Sequence, residues 1–191
     1  MNFRKRATGG WSQARYQRHI DKHRKDFAEE VSKQLIDLDK EVDAKHIVLA
    51  GDEVAIAPLQ GQLPATLLEK VRTVLRVHIR TPRDEIEAMV DPVARQLEAD
   101  DAATLVEQLV SALRGSGLAS MGLDEVRTAL NNGQVDVLLI DDASTIDPQD
   151  RASLVAQAAA TGATIEIVDR DEQLLQLGGV GALLRYRVAS V

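Results

Sequence analysis

Gly9-Gly10-Trp11-Ser12-Gln13-Ala14-Arg15-Tyr16-Gln17-Arg18 leads into a stretch, Trp11 to about Asp39, that contains neither proline nor glycine. Along it Tyr16, Ile20, Phe27, Val31, Leu35 and Leu38 recur at helical spacing and predict one long amphipathic helix. Arg15, Arg18, Lys22 and Lys25 recur at three- and four-residue intervals and so share a second, cationic face. The glycine pair ahead of the helix has no Cβ atoms, which permits positive φ and close approach of a ligand to the backbone. A glycine tip on a cationic helix suits work at a phosphate-rich site.

Charge is polarised along the chain. Residues 1–25 carry eight Lys and Arg, among them Arg4, Lys5 and Arg6, against a single acid, Asp21; this is a formal +7. The remaining 166 residues hold 15 basic and 29 acidic side chains, a balance of −14 within an overall −7. Such a distribution focuses a positive field at one end, where phosphate contacts dominate affinity. A solvated helix face behind a basic start is the alternative.

Downstream, helices and strands alternate. His46 to Gly51 reads as a buried strand, Asp52 caps a brief helix toward Leu59, and Gly61 and Pro64 interrupt the chain beyond it. Val71 to Ile79 alternates as a half-exposed strand. Thr81-Pro82 starts another helix, and Asp91-Pro92 interrupts or kinks the helical region before a second apolar-periodic helix over Ala102 to Leu113. The domain boundary is placed there, giving domains 1–92 and 93–191. In the second half, helix 123–130 stops at Asn131-Asn132-Gly133 and is succeeded by strand 135–140. Helix 148–160, strand 163–168, a turn near 170–176 and strand 181–188 complete the pattern. This is an α/β chain with βαβ crossovers and a sheet covered on both faces.

Composition excludes several classes. With 191 residues and 45% hydrophobic content the chain can build folded cores, and 3% aromatics means those cores are aliphatic. There is no cysteine, which removes disulfides and thiolate metal sites. No apolar run reaches membrane-spanning length, so a cytoplasmic protein with no membrane partner is expected. His19 and His23 stand four apart on the helix but among Arg18, Lys22 and Arg24, so no metal is expected there and no cofactor elsewhere.

Gly9-Gly10-x-Ser12-x-x-Arg15-x-x-Arg18 resembles the peptidyl-tRNA loop and adjoining helix of the eukaryotic and archaeal class 1 release factors, which read Gly-Gly-Gln-Ser-x-x-Arg-x-x-Arg. Leu49-Ala50-Gly51 and Leu63-Pro64 resemble later landmarks of the same domain. Gly133-x-Val135-Asp136-x-Leu138-Leu139-Ile140 and Leu177-Gly178-Gly179-Val180-Gly181-Ala182-Leu183-Leu184-Arg185-Tyr186-Arg187 resemble the third domain that those factors share with the rescue protein Pelota. The resemblance implies a ribonuclease-H-like domain followed by an α/β/α sandwich like the kink-turn-binding ribosomal proteins. It also implies the ribosome, through its large subunit, and peptidyl-tRNA as partners. Trp11 stands where the release factors have their glutamine, and Gln13 comes two positions later. That spelling looks more like the Vms-type branch of ribosome quality control and its bacterial release-factor-like relatives, which implies detachment of stalled nascent chains from tRNA by hydrolysis or by cutting the tRNA near its acceptor end. The codon-reading first domain has no counterpart in this sequence, so stop-codon decoding is not carried over: either the chain acts without decoding or it is the C-terminal part of a longer protein.

Ester hydrolysis at a peptidyl-tRNA needs a positioned water and donors aimed at developing oxygen charge, which amides supply without a strong base. The resemblance assigns this work to Gly9, Gly10 and Gln13, with RNA contacts from Arg4, Lys5, Arg6, Trp11, Ser12, Arg15, Arg18 and Lys22. Trp11 either stacks on a terminal adenine or folds back on the helix, and Ser12 is either a helix N-cap or part of the chemistry. Asp141-Asp142 is expected to be a structural strand end facing solvent. A non-catalytic ribosome-binding adaptor, with Trp11 marking lost hydrolysis, is the competing reading.

Overall fold

The computed structural model describes residues 10–115 and 117–186, with side chains from Gln13 onward. Its described residues fall into two compact units that divide between Val93 and Ala94. The first begins with helix α1 (Gly10–Val42), about 50 Å long at 1.5 Å per residue. Among its described side chains, those packed on the core lie in its C-terminal half. Ala28 and Ser32 are buried, and Val31, Leu35 and Ile36 lean on a core of Ile47, Leu49, Ile56, Leu59, Leu63 and Leu67. The Ser32 hydroxyl donates to the Gln62 carbonyl at 3.0 Å, which satisfies a polar group on that face.

The expected apolar stripe is packed only in part: Val31 and Leu35 meet the core and Ile20 is half-buried, but its other three members are exposed. Tyr16 is 68% exposed, Phe27 60% and Leu38 52%. The packed face adds Ala28, Ser32 and Ile36 to Val31 and Leu35, and the small Ala28 and Ser32 let α1 approach the core closely.

Strands β1 (Ile47–Gly51) and β2 (Val71–Arg76) pair in parallel, joined through α2 (Glu53–Gln60) and α3 (Ala65–Lys70). Asp52 caps α2 by accepting from the Val54 amide. Helix α3 was not expected from Leu63-Pro64. Pro64 opens it: its carbonyl accepts from the Leu67 and Leu68 amides, and its missing N–H costs nothing ahead of a first turn. Of a ribonuclease-H-like sheet, the described residues hold these two strands.

Helix α4 (Arg83–Arg114) passes through Pro92 without the expected break. Proline removes one i→i−4 hydrogen bond. The helix formers around it, Glu85 to Met89 before and Ala94 to Ala99 after, sustain the rest.

The second unit is a four-stranded sheet in the order β3-β6-β4-β5, with β3 (Ala119–Met121), β4 (Val135–Asp141), β5 (Thr164–Val168) and β6 (Val180–Leu184). Strands β4 and β5 are parallel, connected by α6 (Pro148–Ala160), whereas β6 runs antiparallel to both β4 and β3. Alternation along β4 sorts its side chains between two layers. Leu138 and Ile140 face α5 (Leu123–Asn131) and α6, meeting Val126, Leu130, Leu154 and Ala158. Leu139 faces the other way, with Val106 and Leu109 of α4 and Leu174 of α7 (Glu172–Gln176). The sheet is covered on both faces, as a three-layer α/β/α unit requires.

Candidate nucleic-acid interface

From Gln13 to Phe27 every residue of α1 is exposed except the half-buried Ile20. This half is cationic: residues 13–25 carry Arg15, Arg18, Lys22, Arg24 and Lys25 against Asp21. The first turn holds no acidic residue to compete with an anion. Some of the charge is engaged locally. Arg24 pairs with Asp21 at 3.6 Å, Gln17 also donates to Asp21, and the Arg18 Nε donates back to the Ala14 carbonyl at 3.1 Å. Among the described residues Arg15, Lys22 and Lys25 have no ion-pair partner and point their charge at solvent. Lys25 belongs to this row as firmly as Lys22, and its spacing is the signal that places it there.

Helix α1 starts at Gly10, so Gly10 lies in the first turn rather than in a loop before it. Ser12 is accordingly inside the helix and not at its N-cap, and Gln13 is exposed beside it. The side chains of Trp11 and Ser12, and all of Gly9, Arg4, Lys5 and Arg6, lie outside the described residues. His19 and His23 approach at 3.0 Å between their Nε2 atoms, edge to face. Among the described residues no group of three or more His, Cys, Asp or Glu could hold a metal ion. Nor, among them, is any helix long and apolar enough to cross a membrane.

In the second unit the conspicuous carboxylate pair is structural, but Asp141 is fully buried rather than turned to solvent. One of its oxygens accepts from the Ala143 amide at 2.9 Å and the other from the Asp171 amide at 2.7 Å. Both oxygens tie loops to the end of β4, and the burial keeps them from a substrate.

The long glycine-rich motif is likewise a packing device. Gly179 sits at φ +74° against Ser144, and Gly181 lies under Leu109. The Arg185 guanidinium donates to Asp136 at 3.1 Å and to the Gly162 carbonyl at 2.6 Å, beyond the C-terminal end of α6. The Tyr186 hydroxyl donates to the Asn132 carbonyl at 3.1 Å, in the turn before β4.

A cationic helix heading one α/β unit, followed by an α/β/α sandwich closed by this motif, defines a class of two-domain translation-factor-like chains. Residues 2–95 match the family Bacterial archaeo-eukaryotic release factor family 10, and residues 99–188 match eRF1 domain 3. The chain belongs to the superfamily of the class 1 release factors and Pelota.

The protein pelota homolog of Archaeoglobus fulgidus is 25% identical over 186 residues, covering 91% of this chain and 53% of its own. Peptide chain release factor subunit 1 of Aeropyrum pernix is 26% identical over 202 residues, covering 98% and 53%. The chain thus spans about half the length of the curated relatives it matches. A ribosome-bound archaeal Pelota superposes with a TM-score of 0.67 at 24% identity, over 85% of this chain and 49% of that one, which establishes the shared fold.

Proposed function

We propose that this chain works on ribosomes as a release-factor-like rescue protein that separates the nascent peptide from tRNA on stalled complexes, by peptidyl-tRNA hydrolysis or by cleavage at the acceptor end. The observation that carries the reading is the exposed, cationic stretch of α1 from Gln13 to Lys25, which continues in sequence from Gly9-Gly10-x-Ser12. Arg15, Arg18 and Lys22 hold phosphates, the glycines admit the backbone to the acceptor end, and Gln13 offers a carboxamide to position water or stabilise developing charge. Arg4, Lys5, Arg6 and Trp11 extend the RNA contact, the last by stacking. The site of action is the large ribosomal subunit in the cytoplasm.

Ribosomes bearing labelled peptidyl-tRNA test this. Wild-type protein releases peptide or shortens the tRNA. Gln13→Ala slows the step by about 10²–10³, the cost of one oriented transition-state donor in well-studied enzymes, while binding stays nearly intact. Full activity in Gln13→Ala would remove Gln13 from the chemistry.

A second reading is favoured by Trp11, which replaces the release-factor glutamine: a non-catalytic adaptor that binds the ribosome for another factor. Tight binding with no peptide or tRNA cleavage by the wild-type protein selects it.

A further inference from the structure

The sign of charge reverses halfway along α1. Residues 13–25 carry five basic and one acidic side chain, and residues 26–42 carry two basic and six acidic. The reversal falls where the helix meets the core, since Ala28 is its first buried residue. It also falls on one face. The row Arg15, Arg18, Lys22, Lys25 continues at the same spacing to Glu29 and then Lys33. Asp26 lies one turn beyond Lys22, and Glu29 one turn beyond Lys25. Glu29 and Lys33 are both exposed and have no ion-pair partner among the described residues. The core therefore has no use for this acid.

We propose that Glu29 is a specificity-determining residue that ends the RNA footprint: phosphates engage α1 only through residues 15–25, and the acid behind them prevents RNA from lying along the whole helix. This rests on the RNA-binding reading of the same face. The cationic row from Arg15 to Lys25 spans ten residue steps, about 15 Å of helix axis, and Glu29 lies about 6 Å further on. At physiological salt the screening length is about 8 Å, so Glu29 repels phosphates next to it and leaves those near Arg15 unaffected. The boundary is consequently sharp. Without it, Lys33 would extend the row and admit lengthwise, sequence-blind binding that competes with presentation of the helix tip.

The test titrates the full chain with a fluorescently labelled RNA hairpin at several salt concentrations, with circular dichroism melts confirming that each variant is folded. Arg15→Ala/Lys22→Ala weakens binding and flattens the salt slope by roughly one to two units, whereas Lys33→Ala binds like wild type. Glu29→Lys binds several-fold tighter with a steeper slope, and Lys33→Ala then becomes costly in that background. Glu29→Gln tightens binding without steepening it. If Lys33→Ala alone costs as much as Lys22→Ala, or if Glu29→Lys changes neither affinity nor slope, the boundary is overturned while the RNA-binding face stands. If Arg15→Ala/Lys22→Ala changes nothing, the RNA-binding reading itself falls.

Discussion

A Cβ placed on Gly179 would meet the Cβ of Ser144, on a backbone held at φ +74°. Both the crowding and the left-handed conformation oppose any side chain. Gly179→Ala should therefore cost about 2–4 kcal/mol, combining overpacking with the penalty for an L-residue in this region. A lowered urea midpoint, with the transition slope unchanged, checks this. Gly181→Ala meets the branched end of Leu109, which is fully buried in the core, and should carry the overpacking cost alone, about 1–3 kcal/mol. At this scale some residues declare their role in sequence and others do not. The spacing of Arg15, Arg18 and Lys22 exposes a face directly. The burial of Asp141 is invisible there, because its two amide donors come from Ala143 and from Asp171, 30 positions away.

Helices and strands were the most readable level, because each carries its own period. Helix 148–160 and the strand opening at Val135 emerge from apolar spacing, the strand also from the stop at Asn131-Asn132-Gly133. Position outweighs local preference at the two prolines. Pro64 starts a helix and Pro92 sits inside one. Strand β3, three residues long, owes its existence to pairing with β6 and has no period of its own.

The same holds for the clamp between helix ends in the first unit. Lys70 at the end of α3 reaches both oxygens of Asp39 at 2.9 Å and Asp43 at 3.3 Å, at the end of α1. The hydrogen bond to Asp39 is the main cause raising the Lys70 pKa above its usual value, against some desolvation. A lysine raised on folding contributes stability in full below its unfolded pKa and loses it as pH climbs through the folded one. Lys70→Ala should thus destabilise the protein at neutral pH, and its difference from wild type should shrink above pH ~10.5. Urea midpoints of the two proteins, taken across the alkaline range, measure that convergence.

Across the whole chain, two separate cores imply two separately addressable stabilities. Leu67 belongs to the first and Leu138 to the second, both buried. Truncating either to alanine should cost about 2–5 kcal/mol in its own unit. Native-state hydrogen exchange should then show faster exchange confined to the residues of the affected unit. Uniform acceleration throughout would mean that the two cores unfold as one. At this scale the motifs at the two ends of the sequence pointed to the superfamily. The relation of β6 to its neighbours had no such signal, since strand order is set by contacts between residues distant in sequence.

That strand order has a consequence during synthesis. Among the described residues β6 is the last strand made, yet it lies between β3 and β4. Until Val180 to Leu184 emerge, β4 has an open edge and β3 has no partner at all. Arg185 and Tyr186, which fasten the ends of α5 and α6, emerge later still. The unit cannot zip up from its N-terminal side as it leaves the exit tunnel. A chain cut short before Val180 would display unpaired strand edges, which recruit other strands and aggregate. A ribosome that stalls late on this message would therefore hold a sticky, half-built sheet.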